Sequence, residues 1–255
     1  MTVALISGAG PGIGRSCALA FARGGSDVVL GARTSGRLDA LVAEVEALGR
    51  SAVAVPTDIT DPDQVRRLVG AAATHFGRLD AVVNVAAFAG DPATVEDLDD
   101  DSMRATFAVN VLGPLDVSRA ALPLLRDSGG GSITLTSTLS TRTLLPRLGA
   151  YTSTKQAMVS AAQTMAREVG RDAIRVNVVV PGFVRGPDLD DYLNGVAARR
   201  GTDRATIEAG LLRESALGLL PDPDDIAAAV LFLSSPAARC ITGIQLDVNA
   251  GQWIG

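Results

Sequence analysis

Short apolar runs alternate with longer segments of helical periodicity along most of the chain. The strands that this pattern predicts are residues 3–7, 27–32, 52–56, 81–84, 132–137, 175–180 and 244–248. The helices predicted between them are residues 12–23, 36–48, 62–76, 102–125, 150–169 and 223–233. Such alternation implies right-handed crossovers between parallel strands. We therefore expect an α/β protein with a single Rossmann-type, doubly wound domain over residues 1–255, whose seven-stranded parallel sheet carries helices on both faces.

One section, residues 186–221, departs from the alternation. It is polar and helix-prone, and it lies between the sixth predicted strand and the last predicted helix. In an open parallel sheet this position overhangs the carboxyl ends of the strands, where ligands bind. We interpret the section as a substrate lid, with a plain surface excursion as the alternative.

Composition and charge narrow the possible functions. The formal net charge of −5 and the lack of a long basic block argue against nucleic acid as a main partner. Cys17 and Cys240 are far apart, and His75 is the only histidine, so no metal-ligand set or disulfide framework is expected. The first residues have no basic region and form too short a run for a signal peptide or a membrane span. We expect a cytoplasmic protein without a membrane partner.

A glycine-rich turn follows the first predicted strand. Gly8, Gly12 and Gly14 have G-x-x-x-G-x-G spacing, and a helix-forming stretch begins at Ile13. Glycines there permit a tight turn and let backbone N–H groups and the helix N-terminus meet a pyrophosphate. The position after the first strand of an alternating α/β chain favours a dinucleotide site over an ordinary turn.

Arg33 follows the second predicted strand. An acidic residue at this tip would hold the adenosine ribose hydroxyls and repel a 2′-phosphate, but the chain offers Ala32 and a cation. NADP is therefore favoured over NAD as the cofactor, with a solvated surface role for Arg33 as the alternative.

Tyr151 and Lys155 lie four residues apart in a predicted helix, so their side chains share one face. At about 5 Å and an effective dielectric constant near 20, the attraction between phenolate and ammonium is roughly 3 kcal/mol, or about 2 pKa units. This predicts a lowered tyrosine pKa and a group suited to acid–base catalysis.

Together these motifs resemble the short-chain dehydrogenase/reductase family in its compact form, over nearly the whole chain. The resemblance implies that Asp58 contacts adenine, that Asn84 follows the fourth strand at the cofactor, and that Asn110 holds a proton-relay water. It also implies that Pro181 and Gly182 lie against the nicotinamide. Further cofactor contacts that it implies are Ile13, Ile59, Ala86 and Val184.

Three positions depart from the family pattern. Thr138 stands thirteen residues before the tyrosine, where members carry serine, and it keeps the hydroxyl that would orient the substrate oxygen. Asn84-Val85-Ala86-Ala87 replaces Asn-Asn-Ala-Gly, and Gly186 replaces a threonine that commonly binds the carboxamide.

The resemblance implies an NAD(P)-dependent oxidoreductase that interconverts a secondary alcohol and a ketone. Tyr151 would be the acid or base, and Lys155 would lower its pKa and bind the nicotinamide ribose. A non-catalytic dinucleotide sensor, a sugar-nucleotide dehydratase or epimerase, and a 3-oxoacyl-carrier ketoreductase remain alternatives.

The predicted substrate pocket is mostly apolar, with walls from Phe88-Ala89, residues 141–148, Phe183 and Tyr192. Arg142 or Arg147 would meet an acidic substrate group, unless both are solvated surface residues.

The resemblance also implies a homotetramer. The helices 102–125 and 150–169 are apolar on more than one face, and the tail from Gln252 to Gly255 is apolar too. Trp253 would dock on a neighbouring copy or pack in its own core.

Overall fold

The computed structural model describes residues 2–255 and contains a seven-stranded, all-parallel sheet. The strands are β1 (Thr2–Ser7), β2 (Ser26–Ala32), β3 (Ala52–Pro56), β4 (Ala81–Asn84), β5 (Gly131–Thr136), β6 (Ile174–Pro181) and β7 (Gln245–Val248). Their order is β3-β2-β1-β4-β5-β6-β7. All seven predicted strands are present, and the predicted doubly wound fold is confirmed.

The helices are α1 (Ile13–Arg23), α2 (Ser35–Glu46), α3 (Pro62–Phe76), α4 (Asp100–Phe107), α5 (Gly113–Asp127), α6 (Ser140–Thr143), α7 (Gly149–Val169), α8 (Pro187–Arg200), α9 (Arg204–Glu214) and α10 (Pro223–Ser234). A π-helical turn, Ala108–Leu112, joins α4 to α5, so the single predicted helix 102–125 is interrupted. The section 186–221 contains α8 and α9.

Two apolar layers cover the sheet because successive side chains of a strand point to opposite faces. In β1, Leu5 belongs to the layer that packs against α3, α5 and α7. Ala4 and Ile6 belong to the other layer, which packs against α1, α2 and α10. Burial on both faces explains why the strands are apolar throughout rather than alternating.

Two helices, α3 and α10, begin at the residues that the sequence predicts, and each has a capping residue before it. The Asp61 carboxylate accepts hydrogen bonds from the backbone N–H groups of Asp63 and Gln64, and Pro62 occupies the first helical position of α3. Asp222 and Asp225 form a capping box at the start of α10. These caps satisfy N–H groups that a helix leaves without partners.

The strand order reverses between β1 and β4. In this kind of sheet the reversal opens a crevice outside the carboxyl ends of the strands, where ligands bind. Within residues 2–255, no helix has both the length and the apolar character needed to cross a membrane.

Candidate active site

A cavity of about 880 Å³ lies at the carboxyl ends of the strands, with α8 along one side. Its lining includes these predicted site residues: Gly8, Gly12, Ile13, Gly14, Arg33, Asp58, Ile59, Ala86, Thr138, Tyr151, Lys155, Pro181, Gly182 and Val184. Of the predicted set, Asn84 and Asn110 do not line it. The volume lies at the upper end of the range for small-molecule sites, which suits a large cofactor together with a substrate.

The glycine turn has two structural tasks. A Cβ on Gly8 would overlap the backbone of Ala86, and a Cβ on Gly14 would overlap the carbonyl of Gly8, so these glycines allow close packing. Gly12 instead has φ 86° and open space around it, and α1 begins there with no side-chain cap and no acidic residue in its first turn. The free N–H groups therefore face the cavity as an anion site that fits a pyrophosphate.

Two arginines line the adenosine end of the cavity. Arg33 was predicted, whereas Arg37 was missed although it lies four residues further along. Thr34 precedes α2, which also starts without a side-chain cap or an acidic residue in the first turn. Asp58 faces the same region, where hydrogen bonds from Thr60 and, to a smaller extent, the charge of Arg33 hold its pKa below the usual value.

Tyr151 and Lys155 project from the first turns of α7 into the cavity. Thr138 lies close enough to Tyr151 for its hydroxyl to lower the tyrosine pKa, which supports the predicted register over that of Ser137 or Ser140. Thr138 Oγ1 also accepts a hydrogen bond of 3.3 Å from the N–H of Ser140. Lys155 Nζ donates to the carbonyl oxygen of Thr136 at 2.8 Å and lies 5.9 Å from the centroid of the tyrosine ring.

The predicted lowering of the tyrosine pKa is wrong for this structure. Burial raises the pKa of Tyr151 to about 12, the nearby Thr138 hydroxyl opposes the rise, and the charge of Asp188 adds to it. Burial also lowers the pKa of Lys155 to about 8. Burial dominates at both groups because each charged form loses its hydration.

Asn84 and Asn110 lie behind the cavity wall. Asn110 sits on the π-helical turn, where its Oδ1 accepts from the N–H of Phe88 and its Nδ2 donates to the Phe88 carbonyl and to Thr154. Asn84 Nδ2 donates to Ser118 at 3.3 Å. Both side chains therefore support the wall, and the water at Asn110 and the cofactor contact of Asn84 stay predictions.

Aromatic and aliphatic side chains form the substrate end of the cavity. Phe88, Phe183, Leu189 and Tyr192 line it, and the rings of Phe183 and Tyr192 lie 5.2 Å apart between centroids. Asp188, which the sequence did not single out, lines the cavity as well. It could have been noticed as a carboxylate at the start of the predicted lid.

The prediction that residues 141–148 and Ala89 form pocket walls is wrong, since none of them lines the cavity. Arg142 pairs with Asp247 at 3.2 Å and lies 4.9 Å over the Trp253 ring, so it is neither a substrate ligand nor a solvated side chain. Arg147 is exposed and donates a hydrogen bond to the Pro92 carbonyl, which agrees with the alternative that it is a solvated surface residue.

The C-terminal tail supports the loop after β6. Gln252 Oε1 accepts a hydrogen bond of 2.8 Å from the N–H of Phe183. A Cβ on Gly182 would overlap this same oxygen and would also come within 2.9 Å of the Cα of Asn249, so glycine allows the close approach of the two loops. Among residues 2–255, no group of three or more His, Cys, Asp or Glu side chains is arranged to hold a metal ion.

Known proteins resemble the chain over almost its full length. The model of a family described as enoyl-(acyl carrier protein) reductase matches residues 8–252. An uncharacterized oxidoreductase of Methylorubrum extorquens is 38% identical over 98% of this chain and 96% of that protein. A solved 7α-hydroxysteroid dehydrogenase in complex with NADH and 7-oxo glycochenodeoxycholic acid has a TM-score of 0.89 and 30% identity, covering 100% of this chain and 96% of that one. L-sorbose reductase from Gluconobacter frateurii, in complex with NADPH and L-sorbose, has a TM-score of 0.93 and 28% identity over 100% and 97% of the two chains.

The parallel sheet and the anion site at its crevice are typical of a dinucleotide-binding protein, and the similar proteins are oxidoreductases. The chain belongs to the short-chain dehydrogenase/reductase family. The prediction of an NAD(P)-dependent enzyme of the alcohol–ketone class is confirmed at that level.

Proposed function

We propose that this protein interconverts a secondary alcohol and a ketone with NADP in preference to NAD, and that Tyr151 transfers the proton. The observation that carries this proposal is that Tyr151, Thr138 and Lys155 line the same cavity, with the Thr138 hydroxyl close enough to lower the pKa of Tyr151 and Lys155 one turn away on α7. A proton donor and a second hydroxyl side by side match the needs of a carbonyl oxygen that gains negative charge.

The cavity fits the dinucleotide at both ends. The backbone from Gly12 to Ile13 would hold the pyrophosphate, and Asp58 would accept from the adenine. Arg33 and Arg37 would hold a 2′-phosphate, which favours NADP. An ammonium has three N–H donors. Lys155 donates one of them to the Thr136 carbonyl, so two are left for the nicotinamide ribose.

When bound, NAD(P)H would supply the hydride that reaches the carbonyl carbon. In the same step the carbonyl oxygen would take the proton of Tyr151 Oη while Thr138 donates a hydrogen bond to it; oxidation reverses both transfers. A pKa of about 12 keeps Tyr151 protonated at neutral pH, so the phenol is ready to act as the acid in reduction. Oxidation needs the phenolate and is therefore expected to speed up as pH rises.

Several wider features belong to the same proposal. Pro187, Asp188, Leu189 and Tyr192 come from the section 186–221 and line the cavity, which supports a substrate lid. The free thiols of Cys17 and Cys240 suit a cytoplasmic protein, which cell fractionation would check. Exposed apolar residues on α4 and the π-helical turn suit a homotetramer.

The test compares wild type with Tyr151→Phe on a panel of cyclic and aliphatic ketones. We expect kcat to fall by roughly 100- to 10,000-fold, the usual contribution of a positioned acid. NADPH affinity, followed by fluorescence titration, should stay nearly unchanged because the phenol is small and neutral. Thr138→Ser should keep most activity and Thr138→Val should lose most of it.

Equal turnover by wild type and Tyr151→Phe would overturn the assigned role. Tight NADPH binding by wild type without reduction of any ketone would favour the dinucleotide sensor instead.

A further inference from the structure

The charged side chains of the cavity fall into two groups. Arg33, Arg37 and Asp58 line its adenosine end. Lys155, Arg185 and Asp188 complete the set of charged lining residues. The second group includes the charges that face a substrate, because Tyr151 and the aromatic walls lie there.

Two of the three charges in the second group already have partners. Lys155 Nζ donates to the Thr136 carbonyl, and Arg185 pairs with Glu208 at 3.1 Å. Asp188 has no ion pair and no side-chain hydrogen bond within residues 2–255. Of the three charged groups at this end of the cavity, Asp188 is therefore the one whose oxygens are all available to accept hydrogen bonds from a ligand.

The backbone holds this carboxylate at the edge of the cavity. Gly186 has φ 144° and precedes α8, whose first residue is Pro187 and whose second is Asp188. One residue further on, buried Leu189 packs with Leu193 and Leu220 and fixes the orientation of the helix. Asp188 is exposed and lines the same cavity as Tyr151, and its charge contributes to the raised pKa of the tyrosine.

A purely structural account explains part of this arrangement. Acidic side chains in the first turn of a helix are stabilising by about 0.3–1 kcal/mol through the helix dipole. Asp190 lies in the same turn and serves this purpose while pairing with Arg204. The dipole therefore accounts for an acidic residue in this turn but gives no reason for one that lines the cavity.

We propose that Asp188 is a specificity-determining residue, which accepts a hydrogen bond from a hydroxyl or ammonium group of the substrate and repels anionic ketones. The inference rests on the proposed function and adds the substrate class. The rings of Phe88, Phe183 and Tyr192 would hold an apolar carbon skeleton, while the carboxylate meets a donor on that skeleton. The carboxylate of Asp188 also disfavours an acidic carrier substrate. Arg142 and Arg147, the cations that would meet its acidic group, do not line the cavity.

The test uses four cyclohexanones that carry a methyl, a hydroxyl, a dimethylammonium or a carboxylate group opposite the carbonyl. For wild type we expect kcat/KM to be highest for the ammonium and hydroxyl compounds and lowest for the carboxylate. Asp188→Asn should reduce the ratio of ammonium to methyl compound by about fivefold, the upper limit for an exposed ion pair. It should raise the relative kcat/KM of the carboxylate compound, with NADPH affinity unchanged.

Asp191→Asn is the matched control. Asp191 is exposed on the same helix, carries the same charge and does not line the cavity. Its variant should keep the wild-type ratios. Ratios that stay unchanged in Asp188→Asn, or that change equally in both variants, would overturn the inference while leaving the proposed function intact.

If wild type reduces none of these four ketones but reduces others of the wider panel, this inference is overturned and the proposed function stands. If it reduces no ketone of either set, both are overturned. A change confined to Asp188→Asn and expressed mainly in KM would support the substrate lid as well.

Discussion

Lys155 is 2% exposed, and its burial lowers the pKa of the ammonium from its ordinary value of 10.5 to about 8. The unfolded chain therefore binds more protons than the native protein between these pH values, so stability rises as pH increases from 8 to 10.5. Below pH 8, burying the charged ammonium lowers the free energy of unfolding by its full amount, about 3 kcal/mol. Lys155→Met removes that cost and loses a hydrogen bond of about 1 kcal/mol to Thr136.

We therefore expect Lys155→Met to be more stable than wild type by about 2 kcal/mol at pH 7 and to have lost catalytic activity. Urea unfolding at pH 7 and pH 10 measures this, and the advantage should shrink at the higher pH. Higher pH is avoided because the raised pKa of Tyr151 stabilises the fold below pH 10, and that contribution is lost between pH 10 and 12. Destabilisation of equal size at both pH values would contradict the argument.

Single residues were predicted well where their partners are close in sequence. Thr138 was placed by counting back from Tyr151, and the structure brings the two side chains together. Arg142 was misread because its partner Asp247 is 105 positions away and belongs to the last strand. Local patterns carry no information about such a pair.

At the scale of elements, we expect the start of α2 to decide the choice of dinucleotide. A 2′-phosphate there would meet Arg33, Arg37 and the uncapped N–H groups after Thr34. Hydrogen bonds to charged groups are worth about 1.5–3 kcal/mol. We expect Arg33→Ala and Arg37→Ala each to weaken NADPH binding by roughly tenfold or more, while NADH binding changes by no more than about twofold.

Fluorescence titration with both dinucleotides measures the two affinities. Arg239→Ala serves as the control because Arg239 is exposed and does not line the cavity. Equal weakening of NADPH and NADH binding would mean that the arginines act on the dinucleotide in general, and NADP preference would have to be abandoned.

The predicted helix 102–125 illustrates what periodicity leaves out. The apolar pattern predicted one helix, but the chain makes a π-helical turn at Ala108–Leu112. The Asn110 side chain lies within that turn and hydrogen-bonds to the Phe88 backbone 22 residues earlier. A single π-helical turn shifts the spacing of the apolar residues too little to be detected in the sequence. Such turns nevertheless often mark functional sites.

At the scale of the whole molecule, alternation of strands and helices was enough to predict the sheet. Parallel strands with right-handed crossovers leave few possible arrangements, and the observed strand order is one of them. The tail could not be predicted in this way. Gln252 reaches the Phe183 backbone through a side-chain contact that no hydrophobic pattern encodes.

Assembly is the property of the whole molecule that most needs a measurement. Phe107 at 37% exposure and Leu112 at 46% exposure present apolar surface at the junction of α4 and α5. Burying a leucine against another copy contributes about 1.5–3 kcal/mol. We expect light scattering to give a mass four times 26.1 kDa for wild type. Leu112→Asp should give smaller species, because a buried unpaired carboxylate opposes association.

Leu48→Asp is the matched control, since Leu48 is 41% exposed just beyond the end of α2, away from that junction. If this variant stays tetrameric while Leu112→Asp dissociates, the surface around Leu112 is an interface between copies. A wild-type protein that is monomeric at micromolar concentration would contradict the homotetramer. The exposed apolar side chains of α4 and the π-helical turn would then be free to meet a different partner, because large apolar surface on a lone chain usually marks a binding site.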